Sequence, residues 1–325
     1  MFPDDLHRPL YVPELLVNAL NQTPEQPLLR RLDGPTLTVG QMRDATSQFA
    51  QALQSLGVGA GTRVGLLSAN RPEVLHVSNA VQVLAAVYIA MHPLGGSADH
   101  LHVVTDAEVE ILIFDAQRYS ERAAELAKQC PKLRLIGFGP NPLADDLCAL
   151  AQSFAPAPLV APRVEPTDVV RLGYSGGTTG KPKSLASVQR VALTSLQLMM
   201  AEWEWPNPPR VLACTPLSHA GAALFLPTLM RRGTMLVLPA FEPVAVMQAI
   251  QEHRINCMML VPTMIYALLD HPRFGEFDLS SLETVFYGAS AISPPRLKEA
   301  IEKIGPVFSQ FYGQAEVPMC ISVLR

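Results

Sequence analysis

Short, almost unbroken apolar runs alternate with longer amphipathic ones along most of the chain, and that rhythm predicts its elements. Residues 63–68, 110–114, 133–138, 211–214, 234–238, 255–261, 284–287 and 307–311 are apolar enough to be strands buried on both faces, as in parallel sheets. Between them the pattern predicts helices over 72–90, with Pro72 in the first turn, near 221–231, over 243–253 and over 264–269. Val244, Met247, Ile250 and His253 recur at helical spacing in the third of these. A further helix runs from Pro294 to Ile304, with Ser293 as its N-cap. Such alternation predicts an α/β fold of two doubly wound β/α lobes, with ligands at the carboxyl ends of the strands.

Pro156, Pro158, Pro162 and Pro166 favour an extended connector over 155–166. The expected division is therefore a first α/β lobe over residues 1–160 and a second over 161–325, the latter carrying most of the chemistry-bearing residues.

Composition narrows the classes. Hydrophobic residues make up 49% of the chain and charged ones 17%, which excludes disorder and fits a deep core. A net charge of −4 gives no attraction to nucleic acid or an anionic membrane. The five cysteines include no C-x-x-C pair, as expected for buried thiols of a cytoplasmic protein. The first residues show no basic segment leading into an apolar stretch, so no signal peptide is expected. The runs 83–91 and 257–269 are short of the roughly 20 residues of a membrane span. His100-Leu101-His102 is a poor metal pair.

Residues 168–184 carry the strongest chemical signal. A strand-like run ending at Tyr174 opens into Ser175, Gly176, Gly177, Thr178, Thr179, Gly180, Lys181, Pro182 and Lys183. The glycines free backbone N–H groups to approach a ligand, while the hydroxyls and lysines suit a polyphosphate. This is not the common nucleotide-triphosphatase loop: Pro182 stands where a metal-holding Ser or Thr is required. Gly173-Tyr174-Ser175-Gly176-Gly177 also fits the elbow of serine hydrolases, but the residues after Ser175 make a poor helix start.

Tyr-Ser-Gly-Gly-Thr-Thr-Gly-Lys-Pro-Lys over 174–183 resembles the phosphate-binding signature of the acyl-adenylate-forming superfamily, the group of acyl-CoA synthetases and fatty-acid–CoA ligases. Partner segments follow in order. Thr215-Pro216-Leu217-Ser218-His219-Ala220-Gly221 resembles the segment beside the acyl pocket, and Val285 to Ser290 the strand and turn bordering the adenine. Phe311-Tyr312-Gly313-Gln314-Ala315-Glu316 resembles the Tyr-Gly-x-Thr-Glu element. Upstream, residues 84–93 are similar to a helix and proline turn of the first lobe.

The resemblance implies ATP-dependent activation of a carboxylic, fatty, acid to acyl-AMP, then thioester formation with CoA. It assigns Lys181 and His219 to catalysis, with His219 at the acyl pocket. It assigns Ser175, Gly176, Gly177, Thr178, Thr179, Gly180 and Lys183 to the phosphates, and Gly288, Ala289, Ser290, Tyr312, Gly313 and Gln314 to the nucleotide. Glu316 is implied as the Mg²⁺ ligand, so ATP, Mg²⁺ and CoA are the implied cofactors. His219 also suits a satisfied core histidine, and the methionines at 199–200 and 258–259 suit either an acyl tunnel or ordinary core.

Three positions depart from the family pattern: Gly176 for Ser or Thr, Ser184 for glycine, and Ala315 for the threonine before the metal-binding glutamate. The likeness implies the large N-terminal part of such an enzyme, without the small C-terminal domain and its lysine, and so limited turnover alone. Readings left open are an acyl-AMP ligase serving a carrier protein, a non-catalytic nucleotide-binding relative and the serine hydrolase. A homo-oligomer is compatible with the sequence, which does not fix the oligomeric state.

Overall fold

The computed structural model describes residues 8–32, 34–175 and 183–324. Its strands are β1 (Pro27–Arg30), β2 (Leu37–Thr38), β3 (Arg63–Leu67), β4 (Val87–Ala90), β5 (Ile111–Asp115), β6 (Arg134–Phe138), β7 (Asp145–Asp146) and β8 (Val169–Ser175). They continue with β9 (Lys183–Val188), β10 (Arg210–Ala213), β11 (Thr234–Val237), β12 (Cys257–Leu260), β13 (Thr284–Tyr287), β14 (Phe308–Tyr312) and β15 (Ser322–Leu324). Two sheets result. One runs β7-β6-β5-β3-β4-β8-β9 and is parallel except for the β8–β9 pair. The other runs β15-β14-β13-β12-β10-β11-β1-β2 and is parallel except at its two edges, β2 and β15.

Strand residues alternate between two buried layers, which is why their sequences read as unbroken apolar runs. Ile111 and Ile113 of β5 join Val211 and Ala213 of β10 in one core shared by both sheets. Leu112 and Phe114 face the outer layer of the seven-stranded sheet, and Leu212, Met258 and Tyr287 that of the eight-stranded one. Met199, Met258 and Met259 are fully buried in these cores, which favours the core reading of the methionines over a tunnel. Trp203 lies 4.4 Å from Phe286 and 5.0 Å from Phe311, ring centre to ring centre, in the shared core.

The sheets do not follow the expected division at residue 160. The β8–β9 hairpin completes the seven-stranded sheet, so the flanks of the glycine segment belong with the first lobe's strands. The early strands β1 and β2 join the eight-stranded sheet through β11. The proline connector is held instead against the helix Val39–Ser55: Gln48 and Gln51 donate to the carbonyls of Phe154 and Ala155, and Ser47 accepts from Ala157 N–H.

The helix expected over 72–90 is also shorter. It spans Pro72–Val83, breaks where Ala85 takes a left-handed φ of 51°, and gives way to the buried strand β4. Ser293 occupies the N-cap of the helix Pro294–Ile304 but makes no side-chain cap bond. Among the described residues no helix is long and apolar enough to cross a membrane.

Candidate active site

In a parallel sheet every strand ends at the same edge, and here residues just past the carboxyl ends of β3 and β4 touch residues just past that of β10. From the eight-stranded sheet β10 delivers His219, β13 delivers Gly288 to Ser290, and β14 delivers Tyr312 to Glu316. From the seven-stranded sheet β4 leads to His92, and β8 to Ser175. Contacts from His92, Arg171 and Asn70 stitch the seam. The rings of His92 and His219 meet edge to face at 4.9 Å. Arg171 of β8 donates from Nη2 to the Ser218 carbonyl at 3.3 Å. Asn70 donates to the Thr215 carbonyl at 2.9 Å and accepts from Leu217 N–H at 2.7 Å.

The His219 turn is shaped by its own sequence. The Pro216 carbonyl accepts from the N–H groups of both His219 and Gly221, at 3.0 and 3.1 Å. A Cβ on Gly221 would sit 2.6 Å from the Thr215 carbonyl oxygen, so only glycine closes this turn. Ser218 Oγ and His219 Nδ1 share a hydrogen bond of 2.9 Å. Burial, with lesser contributions from Arg171 and His92, pushes the His219 imidazole down to about 3. At neutral pH the ring is uncharged, a polar but neutral group at the centre of the seam.

Gly176, Gly177, Thr178, Thr179, Gly180 and Lys181 lie outside the described residues. Their flanks are fixed: Ser175 and Lys183 are antiparallel partners that end the β8–β9 ladder. Lys183 is exposed and has no ion pair among the described residues. Tyr174 donates to Asp106 Oδ2 at 2.9 Å, tying β8 to the helix Ser97–Asp106. That bond, with one from Ser184, holds the Asp106 carboxyl below its usual range; burial and then Asp106 push the Tyr174 phenol up. A strand that returns as its own antiparallel partner is a hairpin. Whether a helix follows Ser175, as the elbow of a serine hydrolase requires, concerns residues outside those described.

On the other side of the seam, Gly288 is buried at the end of β13. A Cβ there would come within 2.4 Å of the Phe311 carbonyl oxygen and 2.9 Å of its ring. Ala289 follows in a left-handed conformation, φ 68°, and Ser290 is exposed. Tyr312, at the strand end, is 48% exposed, its hydroxyl accepting from Gln314 Nε2 at 2.6 Å. Gln314 and Val317 exchange backbone hydrogen bonds of 3.1 and 3.2 Å and turn the chain back into β15. Gly313 is needed for that reversal, since a Cβ would lie 2.3 Å from Met319 N.

Glu316 stands exposed on this turn with no ion pair among the described residues. No group of three or more His, Cys, Asp or Glu side chains fit to hold a metal occurs among them. A lone, uncommitted carboxylate fits Mg²⁺, which takes one or two carboxylates and completes its shell with phosphate oxygens and water.

Asn70, His92 and Arg171 were not anticipated as site residues. Arg171 carried a signal, a charge in the middle of an apolar strand. His92 lay within the recognised segment 84–93, whereas Asn70 sits in an ordinary turn sequence.

Comparison with known proteins gives a consistent picture. The family model described as "AMP-binding enzyme" matches residues 16–325. A medium/long-chain-fatty-acid–CoA ligase of Mycobacterium tuberculosis, FadD8, is 49% identical over 98% of this chain and 57% of its own length. A feruloyl-CoA synthase of Amycolatopsis is 30% identical over 90% of this chain and 57% of its own. Among solved structures, the amide bond synthetase McbA of Marinactinospora thermotolerans superposes with a TM-score of 0.83 at 26% identity, covering 95% of this chain and 61% of that one. The chain thus spans somewhat more than half the length of the curated relatives it matches.

Proposed function

Given that the chain belongs to the AMP-binding enzyme family, we propose that it carries the nucleotide- and acid-binding half of an ATP-dependent carboxylic acid–CoA ligase acting on a fatty acid. The observation that supports this reading is that His219, the 288–290 turn and the 312–316 turn all follow the carboxyl ends of strands of one sheet, while His92 and Arg171 of the other sheet touch the His219 turn. The 49% identity to the mycobacterial medium/long-chain ligase supports a fatty acid as substrate.

In the first step a carboxylate oxygen attacks the α-phosphorus of ATP, the bond to the bridging oxygen breaks, and pyrophosphate leaves. In the second, the thiol of CoA attacks the acyl carbon, AMP leaves, and the thiol proton is released. Bringing two anions together demands positive charge and fixed geometry. Lys181 and Lys183, with the hydroxyls of Ser175, Thr178 and Thr179 and the N–H groups of Gly176, Gly177 and Gly180, take the phosphates. Tyr312 presents its ring to the adenine beside Gly288, Ala289, Ser290, Gly313 and Gln314. Glu316 is the residue that would hold Mg²⁺, which supplies charge neutralisation on the phosphates when bound. His219, neutral at pH 7, hydrogen-bonds near the reacting carboxyl without repelling or trapping it as an ion.

The test is thermal melting with Mg-ATP beside a Lys181→Ala variant. A ligand at ~100 times its Kd adds about 2.7 kcal/mol of stability, a shift of several degrees. The reading expects a shift that the variant loses. No shift in wild type, or an equal shift in both, refutes nucleotide binding at the glycine segment.

A further inference from the structure

Arg171 sits in the middle of β8, an otherwise apolar strand; its side chain is half-buried, reaches the Ser218 carbonyl of the other sheet, and burial lowers its pKa. A desolvated cation ordinarily has a carboxylate against it, because an unpaired buried charge is costly. No ion pair involves Arg171 among the described residues. Among the described residues its side chain donates one hydrogen bond, to a neutral acceptor, the Ser218 carbonyl. A guanidinium has five N–H donors, so most of its capacity is uncommitted.

Arg171 pairs in register with Tyr88 on β4, so the two side chains share one face of the sheet. Tyr88 packs against the shared core together with Ala220 and Ala223 from the helical turn after His219. Ala220, Ala222 and Ala223, in the turn that follows its Ser218 partner, are half-buried, as is Arg171 itself. The neighbouring imidazole of His219 is uncharged at neutral pH. Arg171 thus brings a positive charge next to the His219 turn.

Resting on the ligase reading, we propose that Arg171 is the counter-charge for the carboxylate of the acid substrate, a binding and orienting residue that holds the head group beside His219. An acid entering the seam loses its water shell, and a planar, partly desolvated guanidinium replaces that shell with a charge-assisted, two-pronged hydrogen bond. The same contact discriminates acids from alcohols, aldehydes or amides of equal chain length.

Titration calorimetry at pH 7 on the whole chain tests this, with decanoate, decanol and Mg-ATP as separate ligands and with Arg171→Met and Arg171→Lys as variants. Wild type is expected to bind decanoate more tightly than decanol by on the order of tenfold or more. Arg171→Met is expected to lose that preference while still binding decanol and Mg-ATP, which certifies its fold; Arg171→Lys retains part of the preference. Equal binding of decanoate and decanol by wild type, or a preference that survives in Arg171→Met, overturns the proposal. Should Arg171→Met fail to fold, the wild-type comparison and Arg171→Lys decide, an unchanged preference in Arg171→Lys counting against a two-pronged contact. Absence of decanoate binding also overturns the proposal. The Mg-ATP titration then shows whether the ligase reading falls with it: it stands if nucleotide binds and falls if neither ligand does.

Discussion

Replacing His219 with asparagine should flatten the acid side of the stability profile. The folded chain holds this imidazole neutral down to about pH 3, through burial first, then Arg171 and His92. The unfolded chain protonates it near 6.5. Between those values the unfolded state binds one more proton, so stability rises with pH across the window and is lost as pH falls through it. Each pH unit is worth about 1.4 kcal/mol, so lowering pH from 7 to 5 costs wild type about 2 kcal/mol through this group alone. Asparagine keeps a polar side chain of similar reach but does not titrate. Urea unfolding followed by fluorescence of the buried Trp203 and Trp205 reads the difference. Wild type should lose about 2 kcal/mol more than His219→Asn between pH 7 and 5. Equal losses would mean that His219 titrates normally in the folded chain, and the neutral seam on which its proposed role depends would be wrong.

Further outcomes follow from the same geometry. Gly288→Ala sets a methyl group against the Phe311 carbonyl and ring, neither free to move far; it should cost about 1–3 kcal/mol and lower the melting midpoint by several degrees. Asn70→Ala leaves the Thr215 carbonyl and the Leu217 N–H without their partner, and should cost about 1–3 kcal/mol in urea unfolding. Asn70→Asp, which keeps only the acceptor, should fall between the alanine variant and wild type. Glu316→Gln should leave the melting midpoint of the nucleotide-free chain unchanged, because the side chain is exposed and unpaired among the described residues, while removing the magnesium-dependent part of any ATP-induced shift.

The sequence made the strands legible where both faces are buried. Thr284–Tyr287 coincides with its apolar run, and Pro243–His253 with its helical spacing. It hid β4 because residues 83–91 are apolar without interruption, and the break falls on Ala85, an alanine in a conformation usually marked by glycine or asparagine. It hid β9 because that strand is mostly half or fully exposed and held by a single neighbour, so tertiary pairing rather than hydrophobic pattern makes it a strand. The turns at Gly221, Gly288 and Gly313 were legible because close backbone approach leaves glycine as the residue that fits. Asn70, His92 and Arg171 were not, since each acts on a residue of the opposite sheet far along the chain.

The placement of β1 has a consequence for how this protein is made. Leu29 pairs with Met235, and the whole seven-stranded sheet is synthesised between them. On the ribosome, the first strand must therefore wait, apolar and unpaired, until β11 emerges, and no cut of the chain between the sheets yields two complete pieces. Deleting the opening thirty residues would strip β11 of its neighbour and leave Met235, Leu236 and Val237 along a raw sheet edge, a template for pairing with other chains. The amino-terminal segment, remote in sequence from the candidate site, thus acts as the clasp that covers one edge of the sheet carrying His219, Gly288 and Tyr312.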